Sequence, residues 1–430
     1  MKKDIKRSRY NLFFGKNIVY NMLSSRIVKV DSELYEFLLS KDAINPNDFE
    51  SDSFNSLIKN NVIVNYNELE YIRECYEANY WGRDLVFYTI KPTLRCNFRC
   101  SYCFEKNKEG EISDEKIFSL GKFLQNEIRS REFVNVNWSG GEPLLVLDKI
   151  SLICNIIQES VTPSSLRMTM NTNGFLLDVK TVARLKDLGF QRLNITIEGD
   201  KERHDSFRKV NFNESTFEKV LSNIEYASYF IPILIRFNTS NTEKESFEKF
   251  LDDLDVFNLL KRNVVISPNN LTLSKSTRDE QVESLNYFLS KHYDYINSII
   301  QRGYKIEAYH VGLQRKYNRC SFHHNFSFNI DPYLNVYRCC YNGANEDLAS
   351  GYINNDGEMV LKAGIKEPNS SRINPVSIKE CRDCIVLPIC MGKCYAEWLA
   401  LDKVANSGCV SYKNSILKII KQKHDERIDF

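Results

Sequence analysis

The chain has almost no excess charge. Its 58 Lys and Arg balance 56 Asp and Glu to within +2 at pH 7. A surface with no field of one sign gives nucleic acid no long-range attraction, so no nucleic-acid partner is expected. Long apolar runs are also missing. No stretch reaches the roughly 20 apolar residues of a membrane-spanning helix. The opening residues, MKKDIKRSRYNLFF, are basic and then amphipathic, unlike a secretory signal. No membrane partner and a cytoplasmic location are expected. Histidine is scarce, at 6 in 430 residues, which limits the metal sites that cysteines can complete with it.

Cysteine, by contrast, is abundant, with 13 residues. Cys96, Cys100 and Cys103 stand as C-x₃-C-x₂-C in TLRCNFRCSYCFE. Three thiolates this close can hold three irons of a four-iron–four-sulfur (4Fe-4S) cluster. The fourth iron then lacks a protein ligand, and an open iron on a reducing cluster can bind and cleave a small molecule. The competing reading is structural zinc, which would want a fourth Cys or His nearby. The next of these downstream are Cys154 and His204. Reducible clusters need a reducing compartment, which agrees with the cytoplasm and implies oxygen sensitivity.

Four further segments follow. NVNWSGGEPLL carries Gly140, Gly141, Glu142 and Pro143 after the strand-like Phe133–Trp138. Two glycines let backbone approach a ligand, and Pro143 stiffens the exit. LRMTMNTNGFLL brings Asn171, Thr172, Asn173 and Gly174. RLNITIEGDKERHDSFR brings Glu198, His204, Asp205 and Arg208, and ILIRFNTS adds Arg236 and Asn238.

In this order the segments resemble the radical S-adenosylmethionine (SAM) superfamily. The resemblance implies that the open iron chelates the methionyl amine and carboxylate of SAM. Reduction then yields a 5′-deoxyadenosyl radical. The GGEP turn would receive the SAM amino group. The Tyr102 backbone would meet the adenine, ordinary packing being the other reading. Asn173 would line the pocket, or only close an Asn-Gly turn. Glu198 stands where the family has Asp. Arg208 would fork onto the SAM carboxylate; the alternative is a solvated surface pair.

Strands read at Leu85–Ile90, Phe133–Trp138, Leu166–Asn171, Arg192–Ile197, Pro232–Asn238 and Asn263–Ile266, with helices between them, for example Lys149–Glu159, Val179–Gly189 and Thr216–Tyr229. Repeated β-then-α units imply a parallel sheet with helices outside, curled by right-handed crossovers. The expectation is an α/β fold with a partial (β/α)₆ barrel over 85–310. Each motif then follows a strand's C-terminal end, where barrel active sites gather.

The last hundred residues hold a second array. Cys381, Cys384, Cys390 and Cys394 stand as C-x₂-C-x₅-C-x₃-C, with Cys409 after them and Cys320, Cys339 and Cys340 before. This resembles the SPASM extension of radical SAM peptide maturases, which implies two auxiliary 4Fe-4S clusters. Cys381, Cys384, Cys390 and Cys409 would ligate the outer one; Cys320, Cys339 and Cys394 would hold the inner one. Adjacent strand residues point to opposite faces, so Cys340 is expected not to be a ligand, leaving one iron open. A zinc ribbon is the alternative. Pro332-Tyr333-Leu334 replaces the family's Pro-Asp-Gly hairpin turn. A cysteine-rich domain is expected over 311–415. Lys413, Lys418, Lys421 and Lys423 read as the solvated face of a helix, with 416–430 a C-terminal tail. Cys75 and Cys154 read as buried thiols.

Residues 1–84 read as a small α+β domain of short strands around turns, with a helix over SELYEFLL capped by Ser32, then a helix, a turn and a strand. The unit resembles the leader-binding domain of ribosomal-peptide maturases, which implies recognition by strand addition at Asn17–Tyr20 or Arg26–Val30. A packing cap on the barrel is the other reading. The whole resemblance implies a peptide maturase that forms a thioether or carbon–carbon crosslink in a precursor peptide. It would be fed by a flavodoxin- or ferredoxin-type electron donor. An anaerobic sulfatase maturase making formylglycine and a non-catalytic electron carrier are the alternatives. No catalytic base is assigned.

Overall fold

A turn-rich start folds into a small antiparallel unit. The computed structural model describes residues 5–15, 17–40, 44–45, 50–103, 105, 108–210, 215–239, 244–270, 278–307, 320–339, 346–362, 374–392 and 407–425. The first elements are β1 (Lys6–Arg7), β2 (Asn11–Phe14), β3 (Ile18–Asn21), β4 (Arg26–Lys29), α1 (Ser32–Ser40), α2 (Ser51–Lys59), β5 (Ile63–Val64) and α3 (Glu68–Trp81). Val19, Leu38, Leu57, Val62 and Ile63 form the unit's own core. Two expectations are corrected. The cap of α1 is Asp31, whose Oδ1 accepts from Leu34 N at 2.7 Å, while the Ser32 hydroxyl accepts from Asn17. β3 is the middle strand of the order β2-β3-β4, so Asn17–Tyr20 offers no edge; β4 does.

The barrel strands form where polar and apolar residues alternate. In order come β6 (Leu85–Ile90), α4 (Asp114–Ile128), β7 (Phe133–Trp138), α5 (Leu147–Gln158), β8 (Leu166–Thr172), α6 (Val179–Asp187), β9 (Phe190–Ile197), α7 (Lys201–Phe207), α8 (Phe217–Ala227), β10 (Ile233–Thr239), α9 (Lys244–Val256), β11 (Val264–Asn270), α10 (Arg278–Gln301) and β12 (Lys305–Ile306). Ser113 and Asp178 cap α4 and α6 through Lys116 N and Thr181 N, which fixes where those helices begin. β6 to β12 lie side by side in sequence order, every neighbour parallel. The apolar set of each strand (Val86, Tyr88 and Ile90 on β6) is buried with the helices in one core. The expected α/β architecture is present, and the sheet stays open rather than closing on itself.

The chain then returns to the first strand. β13 (Ser327–Ile330) pairs parallel with β6, and β14 (Asn335–Tyr337), β15 (Gly351–Ile353) and β16 (Met359–Leu361) extend the sheet antiparallel to eleven strands. The β13–β14 turn forms without glycine. Asp331 Oδ1 accepts from Tyr333 N and Asn335 N, Asp331 Oδ2 accepts from the Tyr337 hydroxyl, and Leu334 takes the left-handed φ of 68°. A helix over Ser407–Asp425 packs on α10 with Ile416, Ile419 and Ile420 buried and Lys418 and Lys421 exposed. The expected tail boundary falls inside this helix, so 416–425 is not a tail. Among the described residues no helix is long and apolar enough to cross a membrane.

Candidate active site

The C-terminal ends of β6, β7, β8 and β9 meet around the first three cysteines. The loop after β6 carries Cys96, Cys100 and Cys103, and its backbone is held from two sides. Leu94 N donates to Gly110 O at 2.8 Å; Gly141 N and Glu142 N donate to Thr93 O and Arg95 O at 2.9 and 2.8 Å. A Cβ on Gly140 would lie 2.3 Å from Thr93 O, and one on Gly141 2.0 Å from Arg95 O. The two glycines therefore let the GGEP turn approach the cysteine loop itself, where the sequence suggested approach to a ligand. Pro143 opens the short 3₁₀ turn Pro143–Val146 behind them.

Glu142 is fully buried and shared between two turns. Its Oε1 accepts from Leu144 N and the Thr172 hydroxyl at 3.1 and 2.7 Å, and its Oε2 from Asn173 N at 2.8 Å. Burial raises the Glu142 pKa, and these donors oppose the rise. Asn173 passes the order on. Its Nδ2 donates to Asn97 Oδ1 at 2.7 Å and lies 4.0 Å from Cys96 Sγ, which also accepts from Phe98 N at 3.3 Å. Burial pushes the Cys96 thiol up to about 12.

Opposite stands a buried polar triad. The Tyr102 hydroxyl donates to Glu198 Oε1; Arg208 Nη1 donates to the Tyr102 oxygen at 2.7 Å and lies 3.4 Å from Glu198 Oε1. Arg208 and Glu198 are buried, so a solvated surface pair is excluded, and Tyr102 does more than fill space. Burial raises the Glu198 pKa against the pull of Arg208. Among the described residues Glu198 Oε2 and Arg208 Nε are buried without a partner. His204 is buried beside them, and burial first, then Arg208, lowers its pKa to about 3. Asp205 turns away to hold Thr216 N and Phe217 N at the start of α8. Sequence reasoning missed Lys91, which closes on Glu105 of the cysteine loop at 2.5 Å, both side chains buried. A lone lysine ending an apolar strand was the available signal.

The donor set fits a cluster held by three thiolates. Among the described residues no three His, Cys, Asp or Glu converge as ligands of a single ion. A cubane instead spreads its thiolates over separate irons. The orphaned Glu198 Oε2 and Arg208 Nε beside the cysteine loop call for a polar ligand with both donors and acceptors, which SAM is.

The second cysteine array gathers elsewhere. Cys339, Cys381, Cys384 and Cys390 are partly buried against one apolar cluster that includes Tyr10, Ile72 and Tyr76 of the N-terminal unit and Phe322, Val376 and Met391 of the C-terminal region. Cys320 is exposed, before a 3₁₀ turn at Ser321–His323, and Cys409 lies in the last helix. Cys394 and Cys340 lie outside the described residues. Cys339 of the expected inner set thus shares its surroundings with three members of the outer set. Cys154 is buried 3.7 Å from Met168 Sδ; Cys75 is only half-buried, against expectation.

An open (β/α) barrel with three cysteines after its first strand defines the class. Residues 90–254 match the Radical SAM superfamily, and the chain carries that domain, whose members are enzymes. The superfamily implies a 4Fe-4S cluster and SAM. A GTP 3′,8-cyclase of Clostridium perfringens is 32% identical over 187 residues, 43% of this chain and 54% of the relative; the chain spans about half the length of such curated relatives. Among solved structures, anSMEcpe with bound AdoMet and Cp18Cys peptide aligns with TM-score 0.62 and 22% identity over 79% of this chain and 99% of that one. SuiB of Streptococcus suis bound to precursor peptide SuiA aligns with TM-score 0.53 and 14% identity over 92% and 96%. These likenesses establish the fold.

Proposed function

We propose that the chain is a cytoplasmic radical SAM peptide maturase that forms a thioether or carbon–carbon crosslink in a ribosomal precursor peptide. The observation that carries this is the joint core of the N-terminal unit and the second cysteine array. A SAM-cleaving barrel alone needs neither part, and the matched cyclase covers less than half of the chain. SuiB, similar over nearly the whole chain, was solved with a precursor peptide.

Cys96, Cys100 and Cys103 would hold the SAM-binding cluster, with the GGEP turn, Tyr102, Asn173, Glu198 and Arg208 around SAM. Cys320, Cys339, Cys381, Cys384, Cys390, Cys394 and Cys409 would serve two auxiliary clusters. When bound, the reduced cluster with SAM supplies one-electron cleavage and, through it, hydrogen-atom abstraction from the substrate. A flavodoxin- or ferredoxin-type protein would supply the electron. Arg208 would hold a carboxylate by its free Nε edge, and Glu198 Oε2 would accept from a hydroxyl or ammonium. Glu142 and Asn173 keep the two turns in register with the cysteine loop.

The test is anaerobic reconstitution with iron, sulfide, SAM and dithionite, followed by addition of short peptides encoded beside the gene. Formation of 5′-deoxyadenosine together with loss of two hydrogens per crosslink in the peptide is expected. A sulfatase-derived Cys peptide converted instead to formylglycine would favour the second reading, which the fit of 79% of this chain to nearly all of anSMEcpe supports. No 5′-deoxyadenosine under any condition would leave only an electron carrier.

A further inference from the structure

The wall of the barrel opposite its helices is polar on β7, β8 and β9, whereas Phe87 on β6, Leu234 on β10 and Val265 on β11 are apolar there. On β7, β8 and β9 the residues alternating with the buried core set include Asn135, Asn137, Thr169, Asn171, Asn194 and Thr196. In closed (β/α)₈ barrels the inner positions are filled by layers of Val, Ile and Leu. Here the inner face borders solvent, and three cations stand on it. Arg167 on β8 and Arg236 on β10 are exposed although both strands are interior to the sheet. Arg192 on β9 lies between them, paired with Glu307 at 3.2 Å. Burial lowers the pKa of Arg192, Glu307 opposes this, and Arg167 and Arg236 each lower it further; the register sets Arg167 two residues below Arg192 and Arg236 four above it. Among the described residues neither Arg167 nor Arg236 is ion-paired. Among the described residues Glu307 is the one carboxylate paired with any of the three guanidinium groups. Beside them Asn194, 7% exposed, has a buried Oδ1 with no donor among the described residues.

We propose that Arg167, Arg192 and Arg236 form a carboxylate-binding subsite on the inner wall, and that the peptide this protein modifies carries an acidic residue there. This rests on the peptide-maturase reading and names its substrate class. Guanidinium groups fork onto carboxylates with charge-assisted bonds, and Asn194 Oδ1 accepts a peptide N–H. Arg236 lies beside Thr196, two residues below Glu198, and Arg192 lies six below it on the same face. Thr169 pairs with Arg192, so Arg167 lies two residues lower again, and at about 3.3 Å per residue the subsite runs from roughly 7 to 26 Å below the candidate SAM site. An extended peptide would therefore place its acidic residue roughly two to eight positions from the modified one. The cations are spread along the wall rather than converging on one point, and the orphan acceptor wants an amide. Both features favour a peptide over a nucleoside triphosphate.

The test uses full-length, anaerobically reconstituted protein and three dye-labelled decapeptides read by fluorescence anisotropy. One has two central Glu with blocked ends, one has Gln in their place, and one is the Gln peptide with a free C-terminal carboxylate. Wild type is expected to bind the Glu peptide at least about tenfold more tightly than the blocked Gln peptide. In Arg167→Gln/Arg236→Gln, of unchanged melting temperature, the preference should collapse to near unity. Recovery of affinity by the free carboxylate would assign the subsite to the peptide's C-terminus as well. Equal affinities in wild type, a preference that survives in the double variant, or GTP binding that the double variant loses while peptides ignore it, each overturns the inference. If the Glu preference holds and depends on the arginines but no peptide is ever modified, the maturase reading fails and the subsite stands.

Discussion

Single residues decide the site through approach distance and burial. Gly141 has no room for a methyl group because backbone, not a flexible side chain, fills the space. Gly141→Ala is expected to push the GGEP turn off the cysteine loop and reduce 5′-deoxyadenosine formation on the order of 10²-fold, the cost of about an ångström of misplacement. Iron content per chain, measured alongside, should fall far less than the rate. His204 gives a pH prediction. Its folded pKa of about 3 lies below the unfolded value near 6.5, so the unfolded chain binds the extra proton between them. The stability it contributes is present above pH 6.5 and is lost as pH falls. From pH 6.5 to 5 the loss amounts to about 2 kcal/mol. His204→Gln should show an acid loss smaller by that amount in urea melts; identical slopes would contradict the burial. The triad of Tyr102, Glu198 and Arg208 illustrates what sequence left hidden. Its members were each singled out, but as separate contacts to SAM, because their mutual bonds depend on how a loop after β6 meets the end of β9. The Asp331 turn was hidden too, since a missing glycine reads as a missing turn until the carboxylate's four donors, the Asn335 amide among them, are seen.

Elements were most legible where one face is polar and the other buried. β6 to β10 stand within two residues of the sequence reading because alternation marks them; β11 runs four residues past its expected end. The small unit was less legible, since pairing order is not encoded in short strands. With β3 central, β4 is the one of the two expected strands that lies at an edge, and it presents Arg26, Ile27 and Lys29 to solvent. Reversing its charge with Arg26→Glu and Lys29→Glu should weaken precursor-peptide binding by about tenfold or more if β4 receives the leader, with the melting temperature unchanged. Isothermal titration with the cognate precursor would decide, and unchanged affinity would leave the unit a packing cap. Deleting the unit outright is a poor substitute. Tyr10, Tyr20, Ile72 and Tyr76 are buried against the second cysteine array, so truncation before residue 81 is expected to strip auxiliary iron as well.

At the scale of the whole molecule the cysteine arithmetic sets one prediction. Three cubanes require about twelve irons per chain with matching sulfide. Elemental analysis after reconstitution should find that, while about four irons with stoichiometric zinc would make the second array a zinc ribbon. The two arrays were plain in the sequence, but their division into inner and outer sets was not. Cys339 comes to lie with Cys381, Cys384 and Cys390 only because the N-terminal unit and the C-terminal segments, far apart in the chain, close one core between them.

The placement of β13 against β6 has a consequence for the chain as it leaves the ribosome. The outer edge of β6, with the apolar LVFYTI sequence, waits for a partner that is synthesised roughly 240 residues later, at about 5–20 residues per second on the order of ten to fifty seconds. Throughout that interval a nascent barrel displays a bare hydrophobic strand, the feature that templates intermolecular pairing. Translation slowed or stopped before residue 327 would hold the chain in that state, so C-terminally truncated forms should pellet where the full chain stays in solution.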